Sequence, residues 1–184
     1  MRCQRKDHNL KGILGFGGHN LDTTAIPNAT GGIWASPAYW NNNVYFGGSG
    51  DNVKAFSFNA GNSGLLSGSL TSLTNEGYGF PGPTPSVSAS GTSHGIVWVL
   101  DVSAYCTQQS PGCGPAILRA YDATNLATTK LWDSTQGAGN AAGFAVKFTV
   151  PTIANGRVYI GTRGNDTGTG ATSILGELDV YGLK

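Results

Sequence analysis

The stretch Phe148-Thr-Val-Pro-Thr-Ile-Ala-Asn-Gly-Arg-Val-Tyr-Ile-Gly-Thr162 reads as two short strands joined by a tight turn. Phe148 to Ile153 is apolar and β-branched. Asn155-Gly156 supplies the two residues that tolerate positive φ, as a type I′ hairpin turn requires. Arg157 to Thr162 then alternates, with Val158 and Ile160 on one face and Arg157, Tyr159 and Gly161 on the other. The unit occurs twice more upstream. Ser36-Pro37-Ala38 leads through Asn41-Asn42-Asn43 into Val44-Tyr45-Phe46-Gly47, and Thr84-Pro85-Ser86-Val87 leads into Gly95-Ile96-Val97-Trp98-Val99. Proline and following valine are 7 positions apart in the first and last copies (37 to 44, 151 to 158) and 12 in the middle one (85 to 97), where Ser88 to His94 is expected to lengthen the turn.

Composition agrees with many short strands. Glycine contributes 29 of 184 residues and charged residues only 11%, so Ser, Thr and Asn fill polar positions that Lys and Glu hold in helical proteins. With 39% hydrophobic and 10% aromatic residues the chain has the means to build a core, which argues against disorder. A net charge of +1 leaves no electrostatic footprint for nucleic acid or a membrane surface. No apolar run approaches the length that spans a bilayer. Met1-Arg-Cys-Gln-Arg-Lys-Asp-His8 is polar, and Leu10 to Phe16 is too short and glycine-rich for a signal peptide.

Taken in order, residues 1–30 read as the remnant of a preceding blade plus linker, with room for one strand within Lys6 to Phe16, a loop at Gly17 to Asn20 and a candidate short strand at Thr23 to Ile26. Residues 31–78 hold strands at Ile33 to Tyr39, Asn43 to Gly48 and Asn52 to Phe58, then a loop and a weak outer strand at Leu70 to Leu73. The turn cluster Tyr78-Gly-Phe-Pro-Gly-Pro83 leads into residues 79–140, which hold strands at Thr84 to Ala89, Gly95 to Asp101, Ala116 to Asp122 and Lys130 to Ser134. Residues 141–184 hold strands at Ala145 to Ile153, Gly156 to Thr162 and Gly176 to Leu183, without an outer fourth strand. No helix is readable. Repeats of this length holding about four strands point to an all-β, partial β-propeller of about three four-stranded antiparallel blades, with the proline strands innermost. Propellers close with about 4 to 8 blades. The remaining blades of a longer chain, or another copy, are therefore the expected partners, because they would cover the open edges.

The residues Leu118-Arg-Ala-Tyr-Asp-Ala123, followed by Leu131-Trp132, resemble the blade signature of bacterial PQQ-binding-like (quinoprotein-type) β-propeller proteins. Lys54-Ala-Phe-Ser57 is a degenerate copy, Leu178-Asp-Val-Tyr-Gly182 a terminal one, and Asp7-His-Asn-Leu-Lys-Gly12 a worn one. The resemblance runs over about residues 31 to 184, the C-terminal portion of such a protein. It implies an extracellular or periplasmic location. It speaks to fold more than to chemistry. Quinoprotein dehydrogenases of this superfamily hold their quinone under an adjacent cysteine pair and place Glu, Asn and Asp around calcium. This chain has no adjacent cysteines and no acidic group in such a context, so no catalytic residue is carried over. The expectation is a non-catalytic structural or binding scaffold with no cofactor of its own. The alternative is a fragment of a PQQ-dependent dehydrogenase that uses the quinone and calcium.

Individual candidates are weighed against plainer roles. Cys106 and Cys113 bracket Thr-Gln-Gln-Ser-Pro-Gly, a turn-rich loop that favours a local disulfide over two free thiols, with Cys3 left unpaired. Three cysteines and the scattered His8, His19 and His94 show no zinc spacing. Asp101 and Asp122 end strands, where capping a turn is the expected role and a calcium or base pair the sharper one. Gly164 to Gly170 superficially resembles a calcium loop without its acidic density, and reads as a turn. Trp34, Trp40, Trp98 and Trp132 are expected to pack between blades rather than form a platform for a sugar or quinone. Asn28 and Asn165 begin glycosylation sequons.

Overall fold

The computed structural model describes residues 30–59, 65–105, 114–128, 130–163 and 176–182. These form eleven strands and no helix, hence none long and apolar enough to cross a membrane. The strands make three antiparallel sheets of four, four and three strands, each in simple chain order. The first sheet is β1 (Ala38–Trp40), β2 (Asn43–Gly47), β3 (Asp51–Asn59) and β4 (Leu65–Tyr78). The second is β5 (Ser86–Ser90), β6 (Ser93–Asp101), β7 (Ile117–Asp122) and β8 (Trp132–Asp133), and the third β9 (Thr152–Ala154), β10 (Arg157–Arg163) and β11 (Gly176–Gly182).

The turn chemistry acts as the sequence predicts. Asn155 and Gly156 take φ of 49° and 70° between paired Ala154 and Arg157, and Asn41 and Asn42 take 44° and 61° between paired Trp40 and Asn43. The middle hairpin differs from expectation. Its turn is only Gly91-Thr92, and the extra residues lengthen the strands and introduce a register shift between Ser88 and Ser90.

Four expected strands change extent. Ile33 to Tyr39 contracts to Ala38–Trp40, and Lys130 to Ser134 to Trp132–Asp133. Ala145 to Ile153 contracts to Thr152–Ala154. The segment before it runs as irregular chain, in which Phe144 alone bridges Pro115 and Arg163. In the other direction, the weak strand at Leu70 to Leu73 is part of β4, 14 residues long. Three register shifts against β3 break its alternation, which hides it from a period-two reading.

The sheets are stacked so that the second is covered on both faces. Tyr45, Val53 and Ala55 of the first sheet pack with Val97, Val99 and Tyr121 of the second, joined by Tyr78, Ala123 and Leu126. On the opposite face Leu100 and Leu118 pack with Val158 and Ile160 of the third sheet. Strand alternation makes this division: Val97 and Val99 point one way, Trp98 and Leu100 the other. The leading strands draw the sheets together. β1 approaches β5, β5 approaches β9, and the Ser86 hydroxyl donates to the Pro151 carbonyl at 2.6 Å.

Candidate functional site

An exposed aromatic cluster lies where the chain enters the leading strands. Trp34 precedes β1, Phe80 precedes β5 and Phe148 precedes β9, and they are 57%, 45% and 64% exposed, against the usual fate of rings this large. Trp34 meets Phe80 edge-on at 5.1 Å between centroids, and Phe80 meets Phe148 at 6.2 Å and 90°. The rings are therefore walls set at angles. Lys147 lies with its Nζ 4.6 Å from the Phe80 ring centroid and 4.8 Å from that of Tyr105, within cation–π range of both.

Between Trp34 and Phe148 is a cavity of about 200 Å³, lined also by Ser36, Pro83, Thr84, Thr149 and Val150, with Leu100 and Val102 beneath. Its volume is below the range of about 300–1,000 Å³ common for sites that enclose a drug-sized molecule. The Ser36 and Thr84 hydroxyls make no hydrogen bond among the described residues, while Thr149 Oγ1 donates to the Val146 carbonyl at 3.2 Å. Lys147 has no carboxylate partner among the described residues.

Backbone conformation marks Phe148 further. It holds φ at 67°, a left-handed value at which a bulky side chain costs about 1–3 kcal/mol. Three positions before Pro151, it corresponds to Gly82, three before Pro85, which takes φ of 84°. At Gly82 a Cβ would come within 2.7 Å of the Gly48 carbonyl carbon, so glycine is the natural occupant of that turn. The third copy keeps the left-handed turn and places an exposed phenyl ring there. Instead of entering a strand, as the sequence predicts for Phe148 to Ile153, Phe148 stands out from the turn.

A second polar cluster ties the first sheet to the second. Tyr121 donates its hydroxyl proton to Glu76 Oε2 at 2.9 Å, so in the 2.7 Å contact between Tyr78 and Tyr121 the donor is Tyr78. Lys130 Nζ bridges Glu76 at 3.2 Å and Asp133 at 2.9 Å. Arg119 stacks on Tyr78 and pairs with Asp101 at 2.7 Å; its Nε is a buried nitrogen without a hydrogen-bond partner. Burial pushes Tyr78 up to about 12. Burial, the Tyr78 neighbour and the hydrogen bond to Glu76 all push Tyr121 up. Burial also works to raise Glu76, but hydrogen bonds from Tyr121 and Lys130 outweigh it and hold the carboxyl below its ordinary value. Shifts in these directions keep the phenols protonated and the carboxylate charged at neutral pH. General acid–base work needs a pKa near the operating pH, so this cluster acts as a fastening.

The candidates from sequence divide clearly. Asp101 accepts from the Ser103 amide at 2.9 Å and Asp122 from the Thr124 amide at 2.8 Å, so both cap turns. As a joint calcium or base pair they fail. Asp101 faces Ile117 and Asp122 faces Ile96 at opposite ends of the β6–β7 ladder, five rungs or roughly 17 Å apart. Trp40, Trp98 and Trp132 pack against the cores between sheets, with Trp40 Nε1 donating to the Gly91 carbonyl and Trp98 Nε1 to Ser88 Oγ, each at 2.8 Å. Trp34 departs from the expected packing role and joins the exposed cluster. His94 lies in the β5–β6 region with φ of 54°. No group of three or more His, Cys, Asp or Glu stands together among the described residues. Cys3, Cys106, Cys113, His8, His19, Thr23 to Ile26, Asn28, and the Gly164 to Gly170 loop with Asn165 lie outside the described residues.

Sequence reasoning missed Phe80, Lys147 and Phe148 as a group. A signal was present: Trp34 and Phe148 each stand three residues before the repeat proline. No family model matches the chain, nor does any curated protein or solved structure.

Proposed function

We propose that this chain is a segment of a PQQ-binding-like β-propeller, and that it serves as a structural or binding scaffold of a secreted bacterial repeat protein. The observation that carries the reading is the approach of the three leading strands, β1 to β5 and β5 to β9, each following its own repeat proline. Meander sheets that meet along their first strands are what a radial blade arrangement requires. The Leu118–Ala123 signature supports the same family, and the aromatic cavity at the entry to the leading strands gives the scaffold a place to bind.

The test is titration of purified full chain with pyrroloquinoline quinone and calcium, following quinone absorbance and dye-linked turnover of alcohols and sugars. The expected result is no tight binding and no turnover above that of free cofactor. Stoichiometric binding at micromolar affinity, or turnover, would overturn the scaffold in favour of a fragment of a quinoprotein dehydrogenase.

A further inference from the structure

We infer that two copies of this chain close on each other. The face of the third sheet turned away from the second receives the first sheet of a second copy, and the same contact repeats on the other side. The inference rests on the reading of the chain as a propeller segment and names the partner that covers its two ends.

Strand register shows what the outer face of the third sheet is. Tyr45 pairs with Ala38 and Ala55 across the first sheet, Trp98 with Ser86 and Ala120 across the second, and Tyr159 with Thr152 and Val180 across the third. Two residues further along, Gly47 faces Val53, Leu100 faces Leu118 and Gly161 faces Leu178. In the first two sheets this side lies against the sheet that follows, and Val53, Ala55, Leu118 and Ala120 are all buried. In the third sheet the equivalent Leu178 and Val180 are 66% and 44% exposed. The same positions of the repeat are buried wherever a following sheet covers them, so this apolar face is half of a seam.

Two local contacts that the existing seams complete are open at this face. The Ser86 hydroxyl of the second sheet donates to the carbonyl of Pro151, the repeat proline of the third. Thr152 holds the position of Ser86, and its hydroxyl makes no hydrogen bond among the described residues. At Gly47 a Cβ would come within 2.1 Å of the Pro83 carbonyl oxygen, because the chain entering the second sheet lies directly against it. At the equivalent Gly161 a Cβ would meet only Thr149 Cγ2, at 3.9 Å.

The first sheet carries the matching half. Val97 with Tyr121, and Val158 with Tyr181, are the rungs that the second and third sheets turn toward the sheet before them. Val44 with Phe56 is that rung in the first sheet, and it continues into Tyr39, which is 59% exposed. A second copy therefore offers the Pro37 carbonyl to Thr152, and Ala35, two residues before its repeat proline as Pro83 is, to Gly161. The contact is head to tail. Two chains of three sheets each make a ring of six, inside the range of about 4 to 8 at which propellers close. A half-turn relates the copies, and both seams are then identical.

Sedimentation velocity of the full chain is expected to show a two-chain species at micromolar concentration. Leu178→Asp and Tyr39→Lys each place a charge in a seam, and each is expected to weaken self-association about a hundredfold or more. Both side chains are exposed in the single chain, so far-UV circular dichroism should not change. Mixed in equal amounts, the two variants are expected to recover a two-chain species, because each supplies the face that the other lacks. A wild-type chain that stays monomeric, or that assembles beyond two copies, would overturn the proposal. So would a Leu178→Asp chain that associates like the wild type, or a mixture that stays monomeric. A Tyr39→Lys chain that still pairs with itself would overturn it too, since the third sheets would then meet each other. A monomeric chain alongside a negative quinone titration removes the second copy and leaves the scaffold, whereas quinone turnover removes the scaffold itself.

Discussion

The two seams between the sheets are built by different means. The seam joining the second and third sheets is mainly aliphatic: Leu100, Leu118, Val158 and Ile160 fill it, with Trp132 edge-on to Tyr181 at 5.5 Å. The seam joining the first and second sheets also has an aliphatic centre, but a chain of phenols and ions runs beside it, from Arg119 through Tyr78 and Tyr121 to Glu76 and Lys130. Apolar packing is tolerant of register, since neighbouring methyl groups substitute for one another. A hydrogen-bonded chain is not, because sliding one sheet past the other leaves buried donors and acceptors unpaired. The difference predicts one seam that answers to volume and another that answers to polar complementarity and pH.

The largest effect should come from the aliphatic seam. Leu118 is fully buried, and Leu118→Ala is expected to lower unfolding free energy by about 2–5 kcal/mol in urea titration. A loss under about 1 kcal/mol would mean that this seam collapses around the cavity and is not closely packed. At the polar seam, Tyr121→Phe removes the proton donated to Glu76 and the acceptor used by Tyr78. The expected loss is about 1–3 kcal/mol, with the acid limb of stability moving to higher pH as Glu76 loses a stabilising partner. An unchanged acid limb would show that Lys130 alone holds the carboxylate. The smallest effect is the pH response of the unmodified protein. Burial raises Tyr45 and Tyr78 from 10.0 to about 12, so the folded chain keeps protons that the unfolded chain releases. Stability from these phenols is whole below about pH 10 and is lost as pH climbs toward 12. Glu76 and Asp133 act oppositely. Their carboxyls sit below the ordinary 4.5 and 3.8, so their contribution is present above those values and disappears as pH falls beneath them. Tyrosinate absorbance rising fully near pH 10 in the folded state would break the account of the polar seam.

Much of this architecture is legible in the sequence because turns and alternation are local. Asn155-Gly156 and Asn41-Asn42 specify hairpins without reference to the rest of the chain, and Val97 to Leu100 specify two faces by alternation. β4 is obscured because bulges opposite β3 disturb its period, and its Gly68, Asn75 and Gly77 carry little strand propensity. The polar seam was not legible, since Glu76 and Tyr121 meet only when two sheets pack. Nor was the aromatic site: Phe148 looks like the start of a strand until its φ is seen, and only then does the parallel with Gly82 show that the turn, and not the strand, governs that residue.

Coverage of the second sheet on both faces has a consequence for how the molecule comes apart. Stacked units of this kind behave as a short one-dimensional chain of neighbours, in which each unit is held by its own stability and by its couplings to those beside it. The first and third sheets each have one coupling among the described residues, and the second has two. Either outer sheet can open while the remaining seam stays intact. Opening the second sheet breaks both seams together, so its local opening and the loss of cooperative order in the described stack are the same event.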